Sequence, residues 1–213
     1  PLVMIKKSLL YILILTVSVF ACAQKKDLTS GAISFTSYDF SSPEIFELPS
    51  ALREISGIQS TGNTYPVFIS QQDEDGSIFL HDQTISKVTE ISFGERNDYE
   101  DITILNERVY VLQSNGNLHS FTLSTNSDGK KEASQYTQHQ LSISTGEYEG
   151  LASLPHQNQL VLLCKSCTID DDREQTTGYI IDVSSNQQLS INSQFSIDWN
   201  SIEEVSKNLK KAF

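Results

Sequence analysis

Alternating apolar and polar positions recur along most of the chain and predict short β-strands. Three successive stretches each contain an apolar run, a polar turn and a second apolar run, at residues 66–70 and 77–80, 109–113 and 118–123, and 160–164 and 178–183. Asn115-Gly116 separates the two runs of the middle stretch, and it is a strong hairpin signal because both residues tolerate positive φ. Weaker alternation predicts one more strand in each stretch, over residues 87–93, 138–143 and 189–195.

A polar or acidic residue recurs just before the first apolar run of each stretch. Ser56, Glu100 and Glu149 align with spacings of 44 and 49 residues. With the segment that holds this residue as the first strand, each repeat contains four antiparallel strands, which is typical of β-propeller blades. A β-sandwich would share the turns but not the long-period recurrence. We therefore predict an all-β protein, a β-propeller with four-stranded blades, of which this chain contains three to four.

The two ends of the repeat region depart from this pattern. Pro43–Pro49 predicts an outer strand before the first blade, and Trp199–Ala212 has a helical period that predicts a short C-terminal helix. Three blades and one strand are fewer than the four to eight blades that close a ring. Residues 43–213 are therefore expected to be a partial propeller, truncated at the C-terminus; an unusual assembly is the alternative.

The first residues have the organisation of an export signal. Met4 is the expected start, and Lys6 and Lys7 form a positive region ahead of the uncharged segment Ser8–Ala23. That segment has 16 residues, whereas a membrane-spanning helix needs about 20. Residues 1–21 are therefore predicted to be a signal peptide.

The end of this signal predicts how the protein is processed. Val19–Cys22 resembles a bacterial lipobox, in which the cysteine becomes the lipid-bearing first residue, although Phe20 is larger than usual. Cys22 is then the lipidation site, and residues 22–42 are a tether between the lipid and the domain. The alternative is an ordinary cleavage site at Ala21–Ala23, which would release a soluble protein.

Composition excludes several functions. A net charge of −12 and a pI near 4.6 argue against nucleic-acid binding, which requires clustered Lys and Arg. Three cysteines are too few for a disulfide framework. No nucleophile elbow, nucleotide-binding glycine pattern or zinc motif is readable, so no nucleotide, haem or zinc is predicted and no catalytic residue is named.

The chain contains five ordered motifs, Glu54–Ile58, Gln72–Gly76, Asp98–Ile102, Tyr148–Ala152 and Leu162–Lys165. Together these motifs resemble the SdiA-regulated family of bacterial propellers. The resemblance implies a six-bladed propeller in the full-length protein, exported or lipid-anchored, with an architecture near that of phytase-like and lactonase-like propellers. The activity of the family is poorly defined, so the resemblance implies much more about fold than about function.

The strand order of a propeller predicts where polar residues gather. The entry to the innermost strand and the turn between the second and third strands of a blade lie on one face of the ring, which we call the channel mouth. Oxygen ligands from several loops suit Ca²⁺, and in lactonase-like propellers a channel calcium organises the site. The candidate ligands for calcium or another molecule are Glu100, Glu149, Asp73, Glu74, Asp75 and Gln113. The alternative is that Glu100 and Glu149 accept backbone hydrogen bonds and fix the blade entries, and that Asp73, Glu74 and Asp75 form a solvated turn.

Cys164 and Cys167 form a C-x-x-C at the end of a predicted strand. A thioredoxin-like motif opens a helix, so redox catalysis is not expected. Either Cys164 is buried and Cys167 exposed, or the two form a local disulfide. The following acidic loop, Asp170–Asp172, is interpreted as solvated, with a weak surface calcium site as the alternative.

These features predict a bacterial cell-envelope lipoprotein facing the periplasm or the cell surface. Its membrane contact would be the lipid on Cys22, and its propeller would bind an unidentified small molecule or protein at the acidic channel mouth. The alternative function is a calcium-dependent esterase, lactonase or phosphatase that uses the same mouth.

Overall fold

The computed structural model describes residues 45, 47–48, 50–62, 67–82, 87–170, 174–203 and 207. The chain divides into two compact units, Pro1–Phe46 and Glu47–Phe213. The predicted signal peptide, Cys22 and the predicted tether lie outside the described residues. All the described strands belong to the second unit.

Twelve strands in the described part of the chain form three four-stranded antiparallel sheets. Each sheet is a meander in chain order, which confirms the prediction of propeller blades. Blade 1 contains β1 (Ile55–Ser60), β2 (Val67–Gln72), β3 (Ser77–Asp82) and β4 (Lys87–Ser92). Blade 2 contains β5 (Tyr99–Leu105), β6 (Arg108–Gln113), β7 (Leu118–Thr125) and β8 (Lys131–His139). Blade 3 contains β9 (Gly146–Leu154), β10 (Gln159–Cys167), β11 (Gln175–Val183) and β12 (Leu189–Asp198).

The hydrophobic core lies between the blades. One buried cluster joins blade 1 to blade 2 and includes Ile69, Ile78, Phe93, Tyr99 and Phe121. A second cluster joins blade 2 to blade 3 and includes Leu112, Leu118, Tyr148, Leu162 and Tyr179. Each sheet therefore needs its neighbour to bury its apolar face, as expected for stacked blades.

The fourth strand of blade 2 differs from its prediction. The alternation over 138–143 predicted a strand there, but β8 runs from Lys131 to His139. Leu141 and Ile143 lie after the strand, where they pack against the cluster between blades 2 and 3. The prediction was wrong because β8 is an outer strand with mostly exposed side chains, so it carries no apolar alternation.

The ends of the repeat are only partly described. Ile45, Glu47 and Leu48 of the predicted outer strand are described, and none of the three is in a strand. Residues 199–203 and 207 are helical, as predicted for the beginning of the C-terminal helix. Among the described residues no helix has the length and hydrophobicity needed to cross a membrane.

Two hairpin glycines test the importance of packing between blades. Gly116 and Gly129 have φ values of 86° and 76°, but only at Gly116 would a Cβ meet the next segment, 2.5 Å from Ile143 Cδ1 and 3.1 Å from Tyr148. A Cβ at Gly129 would have no heavy atom within 4 Å. Gly129→Ala should cost about 1–2 kcal/mol from the backbone conformation alone.

Gly116→Ala should cost a further ~1–3 kcal/mol, because it also overpacks the contact between blades 2 and 3. Urea unfolding of the two variants and the parent chain measures the difference. Equal destabilisation by the two substitutions would show that this contact can relax without cost.

Candidate functional site

The three innermost strands share a β-bulge at the same place. In β1 Ile55 pairs with Gln72 and Gly57 with Gln71, which leaves Ser56 as the extra residue. The pairings of β5 leave Glu100 unpaired in the same way, and those of β9 leave Glu149 unpaired. The recurrence seen in the sequence therefore marks a backbone irregularity, one of a kind that is often found beside active sites because it re-aims a side chain.

In blades 2 and 3 the residue before the bulge links the blade to its predecessor. The backbone N–H of Tyr99 donates to the Asp73 carbonyl oxygen (2.7 Å), and that of Tyr148 donates to the Ser114 carbonyl oxygen (2.7 Å). Asp73 and Ser114 lie at the turns that follow the second strands of blades 1 and 2. The strand entries and these turns therefore meet, as the strand order predicted.

The two tyrosines are buried anchors of these entries. The hydroxyl of Tyr99 donates to the Glu95 carbonyl oxygen (2.9 Å), and that of Tyr148 donates to the Ser144 carbonyl oxygen (2.6 Å). Burial raises the pKa of Tyr99 to about 12 and raises the pKa of Tyr148 further. Both phenols are therefore neutral hydrogen-bond donors with a structural role.

Glu100 and Glu149 belong to a charged group at the channel mouth, which we call the mouth cluster: Asp98, Glu100, Glu147, Glu149 and Lys165. The ammonium group of Lys165 lies 2.5 Å from Glu149 and 3.5 Å from Glu147. Partial burial raises the pKa of Glu100 most, and the charges of Asp98 and Glu149 raise it further, while Lys165 lowers it. The structure thus brings two of the predicted candidates, Glu100 and Glu149, within electrostatic reach of each other.

The acidic turn of blade 1, which contains Glu74 and Asp75, pairs with a different cation from that of the mouth cluster. Arg96 forms ion pairs with both Glu74 and Asp75, the second at 3.2 Å. All three side chains are exposed. The two carboxylates thus have a cationic partner supplied by the segment between blades 1 and 2, and a metal ion would have to displace Arg96.

Asp73 is half-buried, and Gln113 is buried. Oδ1 of Asp73 is buried and has no hydrogen-bond partner. Gln113 donates from Nε2 to Asn97 (2.9 Å), which leaves its carbonyl oxygen to accept from His119 at 3.2 Å. Burial lowers the pKa of His119 to about 4, so its ring is neutral at physiological pH. Gln113 is therefore already engaged by blade 2 and by the segment before it, whereas Asp73 keeps an acceptor atom without a partner.

Asp101 is an important residue that the sequence analysis did not single out. Its Oδ2 accepts from the Leu151 backbone N–H (2.7 Å) and its Oδ1 accepts from the Ile102 backbone N–H (2.8 Å). Burial raises the pKa of this carboxyl, and the two backbone hydrogen bonds partly oppose that shift. Asp101 is thus the acid that fixes a blade entry, the structural role considered as the alternative for Glu100 and Glu149.

Arg96 and Lys165 were also missed as partners of the acidic candidates. Neither pairing is local in the sequence, because Lys165 of β10 pairs with two residues of β9, and Arg96 pairs with the turn that follows β2. One sequence signal was available. The chain has 15 Lys and Arg against 27 acids, so a cation close to the recurring acids is a candidate ion-pair partner.

Cys164 and Cys167 form a disulfide at the end of β10, with Cα atoms 6.0 Å apart. Both are buried, with exposures of 2% and 7%, so the interpretation of an exposed Cys167 was wrong. The bond spans a second irregularity, because Cys164 pairs with Tyr148 and Ser166 with Glu147, which leaves Lys165 as an extra residue. The disulfide thus brackets the bulge that presents Lys165 to the mouth cluster.

Comparisons with known proteins give distant likeness in fold. No protein-family model matches the chain, and no curated protein matches it either. Solved structures similar to it include a streptogramin B lyase, at 10% identity and a TM-score of 0.39 over 68% of this chain. A catalytically inactive virginiamycin B lyase from Staphylococcus aureus with quinupristin gives 10% identity and a TM-score of 0.40 over 68% of this chain. The chain spans 56% and 57% of the length of these two structures.

The raised pKa of Glu100 predicts a pH dependence of stability. A carboxyl whose pKa is higher in the folded than in the unfolded protein contributes stability that is present at low pH and is lost as the pH rises above its ordinary value of 4.5. Glu100→Gln removes this loss, so the variant should lose less stability than the parent between about pH 4 and about pH 7.

The measurement is the urea midpoint at each pH, with Glu90→Gln as the matched control because Glu90 is exposed on β4. The control should keep the pH dependence of the parent chain. If Glu100→Gln and Glu90→Gln have the same pH profile, the charge of Glu100 is not disfavoured in the folded protein.

Proposed function

We propose that this chain is a lipid-anchored cell-envelope protein whose propeller binds a ligand or partner at the acidic channel mouth. The observation that carries the proposal is the bulge shared by the innermost strands, with Glu100 and Glu149 at its position in two successive blades. Bulges in this place re-aim side chains out of the regular alternation. The ordered motifs that resemble the SdiA-regulated family support the exported or lipid-anchored propeller of this proposal.

A cation is the ligand that best suits this mouth. The charged form of Glu100 is disfavoured by burial and by the neighbouring Asp98 and Glu149, and a bound cation would reverse that effect. Among the described residues no Lys or Arg forms an ion pair with Glu100. A cation could therefore reach Glu100 without first displacing an ion-pair partner.

Calcium is the proposed cation because the available donors are all oxygens. The carboxylates of the mouth are not within 4.8 Å of one another in groups of three among the described residues, so calcium would draw them together on binding. Glu149 would have to exchange Lys165 for the ion, and Glu74 and Asp75 would have to exchange Arg96. Oδ1 of Asp73, which has no hydrogen-bond partner, is a further oxygen ligand that could bind the ion.

Calcium should therefore raise the thermal unfolding temperature of the parent chain, and Glu100→Gln should abolish that increase. The neutral amide keeps the size of Glu100 but removes the charge that attracts the ion. Differential scanning calorimetry with added calcium or magnesium measures the effect, and Glu90→Gln should respond as the parent does.

An equal calcium response in Glu100→Gln and the parent would contradict the assignment. The alternative function, a calcium-dependent hydrolase, makes a different prediction for the same protein. Turnover of aryl esters, lactones or phosphoesters that appears only with a divalent metal would replace the binding proposal by that alternative.

The proposed anchor rests on Cys22, which lies outside the described residues. Cys22→Ser should abolish incorporation of a labelled fatty acid and move the exported protein from the membrane to the soluble envelope fraction. A net charge of −12 gives no attraction to an anionic lipid surface, so attachment would depend on the lipid.

Labelling and fractionation after expression in a bacterial host test this prediction. Cys164→Ser is the matched control, because it removes a different cysteine and should keep the label. An unlabelled parent protein in the soluble fraction would favour ordinary cleavage at Ala21–Ala23.

A further inference from the structure

Three metal-ligand side chains meet beyond the mouth cluster, at the end of β10. The sulfur atoms of Cys164 and Cys167 and a carboxylate oxygen of Asp170 all lie within 4.8 Å of one another. Both cysteines are buried, and Asp170 is half-buried. Among the described residues, no other three aspartate, glutamate, cysteine or histidine side chains lie close enough together to share one ion.

The state of Asp170 is unusual for a surface loop. Its Oδ1 accepts a hydrogen bond from the Thr177 hydroxyl (2.6 Å) on β11. Its Oδ2 is buried and has no hydrogen-bond partner. A buried carboxylate oxygen without a partner is costly and calls for an explanation, such as an ion that binds there.

The backbone around the group is held in place. Asp170 donates its backbone N–H to the Cys167 carbonyl oxygen (3.0 Å), and Thr168 donates to the Thr145 carbonyl oxygen (2.9 Å). Gly146 allows the close approach of Cys167, because a Cβ at Gly146 would lie 2.6 Å from the Cys167 sulfur. The ligand atoms are therefore positioned by the fold, and Thr177 orients the carboxylate as an outer partner of a metal ligand would.

Space for a further ligand is present on one side. A cavity of about 270 Å³ is lined by Cys167, Asp170, Gln175, Thr176 and Trp199, together with Lys165 and Ser166. Three protein ligands with an open fourth position form the common arrangement of a reactive zinc site, whereas structural sites use four protein ligands.

We propose that reduction of the Cys164–Cys167 disulfide creates a binding site for a thiophilic divalent metal ion, Zn²⁺, with Cys164, Cys167 and Asp170 as its ligands. Two thiolates and one carboxylate favour zinc over calcium or magnesium, which prefer oxygen alone. Zinc bonds of about 2.3 Å require the sulfurs to lie about 3.8 Å apart in a tetrahedral site, a separation that a C-x-x-C spacing provides. The site is independent of the function proposed for the channel mouth.

The redox step involves a dithiol reductant. The dithiol transfers two electrons and two protons to the disulfide, so that Cys164 and Cys167 become thiols and the reductant becomes its own disulfide. Zinc then displaces the two thiol protons, and binding weakens as the pH falls. The oxidised protein has no thiolates and does not form the site.

The test uses the full chain with Cys22→Ser, so that Cys164 and Cys167 are the remaining two of its three cysteines. Competition with a chromophoric chelator measures zinc binding before and after reduction, and Co²⁺ absorption reports tetrahedral thiolate coordination. The reduced protein should bind one zinc ion per chain that the oxidised protein does not bind. Asp170→Asn should weaken zinc binding by at least about tenfold. Loss of a residue that only hydrogen-bonds to a metal ligand already weakens metal affinity by about that factor, and loss of a ligand should cost no less.

Asp128→Asn is the matched control, because Asp128 is exposed in the turn between β7 and β8. Asp170→Asn leaves both thiols in place, so it stays informative even if a cysteine substitution unfolds blade 3; urea unfolding of each reduced variant checks that the fold is retained. Equal zinc binding by the oxidised and reduced proteins would overturn the proposal. Equal affinity of Asp170→Asn and Asp128→Asn would overturn the assignment of Asp170 as a ligand.

Discussion

The carboxylate of Asp101 is the contact at which the innermost strands of all three blades meet. It accepts the backbone N–H of Leu151 in blade 3, and a Cβ at Gly57 in blade 1 would lie 2.7 Å from its Oδ1. Its burial disfavours the charge, and two backbone hydrogen bonds recover part of that cost. The blades can pack only at a separation that satisfies this acid, and the acidic mouth is built on that packing.

The bulge at Glu100 makes this arrangement possible. Side chains alternate between the two faces of a regular strand, so adjacent acids would point to opposite faces. The extra residue, Glu100, breaks this alternation. The Asp101 carboxylate can therefore make its contacts between the blades, while the Glu100 carboxylate lies in the mouth cluster. Gly57 and Gly150 occupy the position of Asp101 in the other two innermost strands. The repeat therefore keeps the same bulged backbone in all three blades. The single carboxylate of Asp101 takes part in the contacts of blade 2 with both blade 1 and blade 3.

The sequence was sufficient to predict the blades where each strand buries an apolar face. It failed at β8, an exposed outer strand, and it assigned Leu141 and Ile143 to that strand although they pack as loop residues against blade 3. The recurring acids were visible, but their partners were not, because the pairing of Lys165 with Glu149 depends on the register of β9 and β10. Asp170 likewise reaches the cysteines through a loop whose path no periodicity predicts.

The charges at the mouth are not equivalent, which bears on the proposed cation. Arg96 pairs with the two acids of the blade 1 turn, and Lys165 pairs with Glu147 and Glu149, but these ion pairs are exposed and therefore weak. A divalent ion at Glu100 would therefore compete with weak partners for Glu149. Such an ion would also relieve the repulsion that Glu149, Glu147 and Asp98 exert on Glu100. The raised pKa of Glu100 is thus consistent with the proposed cation, which would favour the charged form of this carboxylate.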